Sequence, residues 1–215
     1  MKGFVFDLDG VLADTAKYHY IAWKELAAEI GITIDEVFNE QLKGISRQES
    51  LERILEHGGK LGEFSEEVLA ELAEKKNQQY VELLEELTPE DALPGVREFL
   101  AEARELNIPC TVASASKNAP FILDKLALSD QFVGIVDPAS LTKGKPDPEI
   151  FIKAAELMKL QPSEVIGFED AQAGIDGIKA CGMYAVGIGE SEQLIGADRL
   201  INDLSEITIE ELICL

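Results

Sequence analysis

A chain of 215 residues is long enough to bury a full core, either as one large domain or as a domain with a smaller insert. Its 19 Lys and Arg stand against 41 Asp and Glu, a formal charge of −22 spread along the whole length, which argues against a nucleic-acid or anionic-membrane surface. The opening apolar run is four residues long and ends in aspartate, no stretch approaches a membrane span, and Cys110, Cys181 and Cys214 lack metal-ligand spacing. A cytoplasmic protein with reduced cysteines is therefore expected, with a monomer as the plain expectation for its assembly.

In chain order, Gly3-Phe4-Val5-Phe6 predicts a buried strand that runs straight into Asp7-Leu8-Asp9-Gly10. Residues from about 15 to 87 carry no convincing strand. Helices are predicted there over 16–30, 35–42, 47–57 and 65–87, with Gly31, Gly44 and Gly58-Gly59 as breaks. Beyond Thr88-Pro89, the recurrence of Val96, Phe99, Leu100, Ala103 and Leu106 marks one helix face. Short apolar runs follow at 110–113, 134–136, 165–168, 184–188 and, more weakly, 200–201. They do not alternate polar with apolar, so they read as parallel strands buried on both faces. Further helices are predicted from Ser116-Lys117-Asn118 toward 126, from near Pro148, and over 171–181. The expected architecture is α/β, a doubly wound parallel-sheet (Rossmann-like) core with an inserted α-helical cap domain. Residues 1–14 and 88–215 form the expected core, and 15–87 the cap.

Ligands of an open parallel sheet gather beyond the carboxyl ends of its strands. The first strand ends in Asp7 and Asp9, the second in Ser114-Ala115-Ser116-Lys117-Asn118, and the 165–168 strand in Glu169-Asp170. Asp7 suits an aspartate nucleophile that accepts a phosphoryl group, and Asp9 a proton donor and acceptor beside it. Taken alone, Asp-x-Asp-Gly equally fits a polar turn or a calcium-type loop. Asp7, Glu169 and Asp170, helped by the Asp9 carbonyl, offer the hard oxygens that Mg²⁺ prefers, although Asp170 also suits a helix N-cap. Ser114 can donate to a phosphoryl oxygen and Lys145 can balance its charge, with a serine turn and a solvated lysine as the plainer readings. Lys143 competes with Lys145 for that role. In the cap, Lys76 falls in a largely apolar seam with Leu69, Ala73 and Tyr80, where it must snorkel or find a partner. Thr15, His19 and Trp23 share one helix face at four-residue spacing.

Asp7-Leu8-Asp9-Gly10-Val11, Ser114, Lys145-Pro146 and Glu169-Asp170, in that order across the core, resemble the haloacid dehalogenase superfamily. Within it, Asp14 to His19, Gln41 to Arg47, Lys76-Asn77 and Ser114 to Asn118 resemble its sugar phosphomutases, so the likeness spans cap and core. The resemblance implies interconversion of β-D-glucose 1-phosphate and glucose 6-phosphate, through a phosphorylated Asp7 and a β-glucose 1,6-bisphosphate, with Mg²⁺. It also implies that Arg47, Ser116, Lys117 and Asn118 hold the phosphate that is not reacting. Lys76 and His19 would face the sugar and Thr15 would sit at the hinge. Trp23, Lys43, Gly44, Ile45 and Ala115 complete the implied substrate site. A sugar-phosphate phosphatase with the same Asp7 and Asp9 is the main rival, and an idle phosphosugar-binding sensor the second.

Overall fold

A computed structural model describes residues 1–189 and 194–214. Six strands, β1 Gly3–Phe6, β2 Cys110–Val112, β3 Gly134–Ile135, β4 Val165–Glu169, β5 Tyr184–Ile188 and β6 Arg199–Ile201, make one sheet in the order β3-β2-β1-β4-β5-β6. Every adjacent pair is parallel. This is the doubly wound α/β arrangement, and each expected strand is present within a residue or so of its predicted limits. β4 runs one residue further than expected and so takes Glu169 into the sheet.

Five α-helices lie between β1 and β2 in the chain: α1 Ala16–Glu29, α2 Glu36–Asn39, α3 Arg47–His57, α4 Glu66–Leu84 and α5 Val96–Glu105, the first four making the helical insert. The predicted 35–42 helix is in fact α2 followed by a tighter 3₁₀ turn, Glu40–Leu42, and α4 stops at Leu84 rather than at 87. After β2 come α6 Ala119–Lys125, α7 Glu149–Leu157, α8 Gln172–Ala180 and α9 Ile209–Ile213. The sequence places the start of α6 near Ser116, and the structure moves it to Ala119. The hydroxyls of Ser114 and Ser116 accept the backbone N–H groups of Ser116 and Asn118, a local alternative to helix that keeps 114–118 as a loop. Pro120, tolerated only in a first turn, fixes the same boundary. Asp170 is likewise not the cap of α8, whose N-cap residue is Ala171.

Because β1 and β4 are central, their side chains feed both faces of the sheet. Phe4, Phe6 and Phe168 point to one face and meet Phe99 of α5, while Val5 points to the other, against Ile150, Phe151, Ile175 and Ile178 of α7 and α8. Phe168 stacks on Phe6 at 4.6 Å and meets Phe4 and Phe99 edge-on at 5.8 and 5.5 Å. Helices α1 to α3 share an apolar cluster of their own around Trp23, Leu26, Phe38, Leu51 and Ile54, whereas Tyr80 and Leu84 of α4 join the sheet-side core. Among the described residues no helix is long and apolar enough to cross a membrane.

Phe168 is the residue that ties this aromatic group to the strand carrying Glu169. Phe168→Ala should cost about 3–5 kcal/mol, the usual range for emptying a packed aromatic site, measured as the shift in urea unfolding midpoint at constant slope.

Candidate active site

The strand order reverses between β1 and β4, which opens a crevice at their carboxyl ends. Asp7 follows β1 directly and Glu169 closes β4. Lys145, from the loop before α7, reaches between them, with its Nζ 2.5 Å from Asp7 Oδ1 and 2.7 Å from Glu169 Oε2. All three are sealed from solvent. Burial opposes the Lys145 charge, yet Asp7 and Glu169 outweigh it and hold the ammonium above its ordinary pKa. Lys143 has an exposed side chain 3.4 Å from Asp147, whereas Lys145 is the lysine that turns inward to Asp7 and Glu169.

Asp170 adds a third carboxylate, and one oxygen each from Asp7, Glu169 and Asp170 lie within 4.8 Å of one another. Burial, then the Glu169 and Asp7 charges, push the Asp170 carboxyl well above its usual range. Two buried acids and one partly buried one thus converge at the crevice, and their hard oxygens suit a divalent cation. Glu169 spends both oxygens on protein donors, Oε2 on Lys145 and Oε1 on the Ala171 N–H at 3.2 Å. Two glycines make room for the acids. Gly10 has φ +76 and a Cβ there would run into the Asp170 carboxylate, while a Cβ on Gly174 would run into that of Glu169.

Asp9 sits at the junction of the sheet and the helical insert. Its Oδ1 accepts the Thr15 hydroxyl, and the Tyr80 hydroxyl approaches the same oxygen at 3.4 Å. Thr15 occupies the N-cap position of α1 but makes no cap bond, since its hydroxyl is committed to Asp9. Burial, with the charge of Asp7, raises the Asp9 carboxyl to about 6. His19 Nε2 lies 3.7 Å from Asp9 Oδ1, and His19 Nδ1 is 2.6 Å from Lys76 Nζ. Burial and the neighbouring Lys76 keep the imidazole neutral, so the approach to Asp9 is not an ion pair. With Lys76 donating to Nδ1, the ring proton belongs on Nε2, facing Asp9. Lys76 does not snorkel: it is buried between the rings of Trp23 and Tyr80, at 4.7 and 4.6 Å from their centroids. Burial, reinforced by Arg47, lowers its pKa to about 7.

A cavity of about 410 Å³ runs between the sheet and the insert. Its walls include Asp7, Asp9 and Asp170; His19, Trp23 and Lys76; Lys43, Gly44, Ile45 and Arg47; and Ser114, Ala115, Ser116, Lys117 and Asn118. Of the residues singled out from sequence, Thr15, Lys145 and Glu169 do not line it and stand behind those that do. Arg47 is the first residue of α3, and a Ser46–Glu49 capping box fixes that helix start. An arginine at this end opposes the helix dipole, so local helix stability does not account for it. Lys43 lies 2.9 Å from Glu40 and 3.8 Å from Asp170, which brings it to the acidic end of the cavity. Among the wall residues that escaped the sequence assignment of the site, Tyr80 and Asn77 make polar contacts to residues that it did assign. Tyr80 reads there as a seam residue, and Asn77 carries no role although its Oδ1 accepts from both Arg47 and Asn118.

A sequence model of the haloacid dehalogenase-like hydrolases matches residues 1–182, which is most of the chain. The chain belongs to that family. It is 48% identical over 210 residues to the β-phosphoglucomutase of Bacillus subtilis (strain 168), covering 98% of this chain and 93% of that one. It is also 27% identical to a phosphorylated carbohydrates phosphatase of Thermotoga maritima, over 94% of this chain and 88% of the relative. Among solved structures, a β-phosphoglucomutase from Clostridium difficile superposes with a TM-score of 0.96 at 46% identity, covering 99% of this chain and 95% of its own. In this haloacid dehalogenase-like hydrolase the dense hydrogen bonding around Asp9 therefore sits in a crevice whose relatives include both a mutase and a phosphatase.

The buried Lys76 gives a pH signature. Its folded pKa of about 7 lies below the ordinary 10.5, so the fold carries the full cost of a buried ammonium at pH 7 and below, and sheds it as pH rises to about 10. Lys76→Met should therefore be more stable than the parent by about 3 kcal/mol near pH 6, with the gap closing toward pH 10. Urea unfolding of both proteins across that range checks it.

Proposed function

We infer that the protein is a phosphomutase that interconverts β-D-glucose 1-phosphate and glucose 6-phosphate through an aspartyl-phosphate on Asp7 and a β-glucose 1,6-bisphosphate. One observation carries the reading: Asp7 shares a single cavity with Arg47 and Asn118, so one wall offers a nucleophile and another offers donors for a second phosphate. The cavity volume of about 410 Å³ suits a molecule of hexose-bisphosphate size. The near full-length likeness to the Bacillus subtilis mutase supports the same reaction.

In this reading a phosphorylated Asp7 yields its phosphoryl group to the sugar 6-hydroxyl, breaking the Asp7–phosphorus bond, then attacks the C1 phosphoryl group in line and displaces the C1 oxygen, while Lys145 neutralises the charge that gathers on the transferring oxygens. The Ser114 oxygen accepts the Ser116 N–H, which leaves its hydroxyl proton free for a phosphoryl oxygen. Asp9, with a carboxyl titrating near 6, is poised to take a proton from the attacking sugar hydroxyl and return it in the second half of the cycle. His19, neutral and backed by Lys76, supplies an N–H beside Asp9 without adding a charge. Mg²⁺ held by Asp7 and Asp170, with the Asp9 carbonyl and Glu169 in support, would polarise the transferring phosphoryl group. Arg47, Ser116, Lys117 and Asn118 hold the other phosphate, and Trp23, Lys43, Gly44, Ile45, Lys76 and Ala115 shape the sugar site.

The helical insert, residues 15–87, acts as a cap over a core of 1–14 and 88–215, with Thr15 at the hinge. Closure keeps water away from the aspartyl-phosphate while a sugar hydroxyl is held in line, an advantage worth roughly 7–11 kcal/mol. The enzyme is assigned to the cytoplasm, as a monomer acting on a small phosphosugar.

A phosphorus NMR time course with Mg²⁺, β-glucose 1-phosphate and a trace of glucose 1,6-bisphosphate, run beside the α-anomer, tests the reaction. Glucose 6-phosphate should grow from the β-anomer alone. Growth of inorganic phosphate in its place would make the protein a phosphatase. Asp7→Asn should lower turnover by roughly 10⁴-fold or more while the protein still unfolds in one cooperative transition. Sustained turnover in a pure preparation would remove Asp7 as the nucleophile.

A further inference from the structure

Asn77, on α4 of the insert, occupies a singular place. Its Oδ1 accepts one hydrogen bond from Arg47 at 2.8 Å and another from the Nδ2 of Asn118 at 2.9 Å. Arg47 belongs to α3 of the insert, and Asn118 to the loop before α6 on the sheet side. A guanidinium can only donate, so the atom of Asn77 it meets must be the carbonyl oxygen, and the same atom then obliges Asn118 to present its NH₂. Both lone pairs of that oxygen are filled. Each donor still has N–H groups to spare: Arg47 places one more on Glu74 at 3.4 Å, and Asn118 keeps its second amide proton. All three residues line the cavity.

We propose that Asn77 is a positioning residue that clasps the insert to the sheet domain in the substrate-free enzyme and turns the remaining N–H groups of Arg47 and Asn118 toward an incoming phosphate. The aiming half of this statement rests on the phosphomutase reading, whereas the clasp does not. A single carbonyl oxygen does both jobs because its two lone pairs lie in one plane, which sets the angle between one donor from each side. A carboxylate would keep the clasp, and strengthen it by charge, but would place a negative group beside the phosphate site. An alanine would lose both bonds while suiting the helix.

The test uses the full chain with Cys181 and Cys214 replaced by serine and dyes on cysteines placed at exposed Glu63 and Asp130, one in the insert and one on the sheet side. In the absence of substrate, Asn77→Ala should lengthen and broaden the dye separation, and Asn77→Asp should keep it as in the parent. In steady-state kinetics both variants should raise KM for β-glucose 1-phosphate by about tenfold, the equivalent of one lost hydrogen bond. Phosphorylation of Asp7 by acetyl phosphate, which has no second phosphate to hold, should keep the parental rate in both. An unchanged separation in Asn77→Ala overturns the clasp, and an unchanged KM overturns the aiming role. Because the dye measurement needs no sugar phosphate, loss of the phosphomutase reading would leave the clasp result standing and distinguishable.

Discussion

Lys145 is the pin through the site. Its ammonium joins the end of β1, through Asp7, to the end of β4, through Glu169, at the point where the sheet's strand order reverses. A buried charge pair gives little net stability over an apolar pair of the same shape, and removing one member leaves the other uncompensated. The arrangement is thus better understood as a geometric constraint than as a source of stability. It fixes the orientation of Asp7 by making any other placement of three buried charges costly. Gly10 and Gly174 belong to the same constraint, since each leaves the volume that an acidic side chain must fill.

From that pin the polar network spreads outward into the insert and becomes less charged as it goes. Asp9 takes the hydroxyl of Thr15 at the first turn of α1, then meets neutral His19, which is backed by Lys76 between two aromatic rings. Thr15 and His19 share one face of α1, and Lys76 and Tyr80 one face of α4, so a shift of the insert against the sheet must alter the surroundings of Asp9. The environment of the Asp9 carboxyl and the position of the insert are coupled through these contacts. Asn77, next to Lys76 on α4, adds a second polar link, between Arg47 and Asn118.

The parallel strands were legible because burial on both faces leaves unbroken apolar runs, and the acids at their ends were legible because polar residues there have no packing role. Asp7, Asp9, Ser114, Glu169 and Asp170 all sit at such ends. Lys145 and Lys143 could be ranked only by their place before Pro146, since nothing in the local pattern says which of two lysines turns inward. Tyr80 and Asn77 were invisible as site residues for another reason. On a helix, a residue facing a cavity has the same spacing as one facing a core, and Tyr80 falls in step with Leu69, Ala73 and Lys76. The start of α6 was misplaced because Ser116 resembles a helix cap in sequence but instead bonds within its own loop.

The chemistry and the stability of this molecule rest on different residues of the same strands. Phe4, Phe6 and Phe168 lie one to three positions before Asp7 and Glu169 and lock β1 to β4 through aromatic contacts on the face covered by α5. With the period of two in a strand, Phe6 and Phe168 turn into the core while the next residue in each case is released to the crevice side. The register pairs Phe6 with Phe168, so Asp7 and Glu169 emerge level with one another. A slip of one residue would carry an acid into the aromatic core and a phenylalanine into the crevice. The packing of the core thereby sets the distance that Lys145 bridges, and the reactive groups need hold only their own orientation, not the strands that carry them.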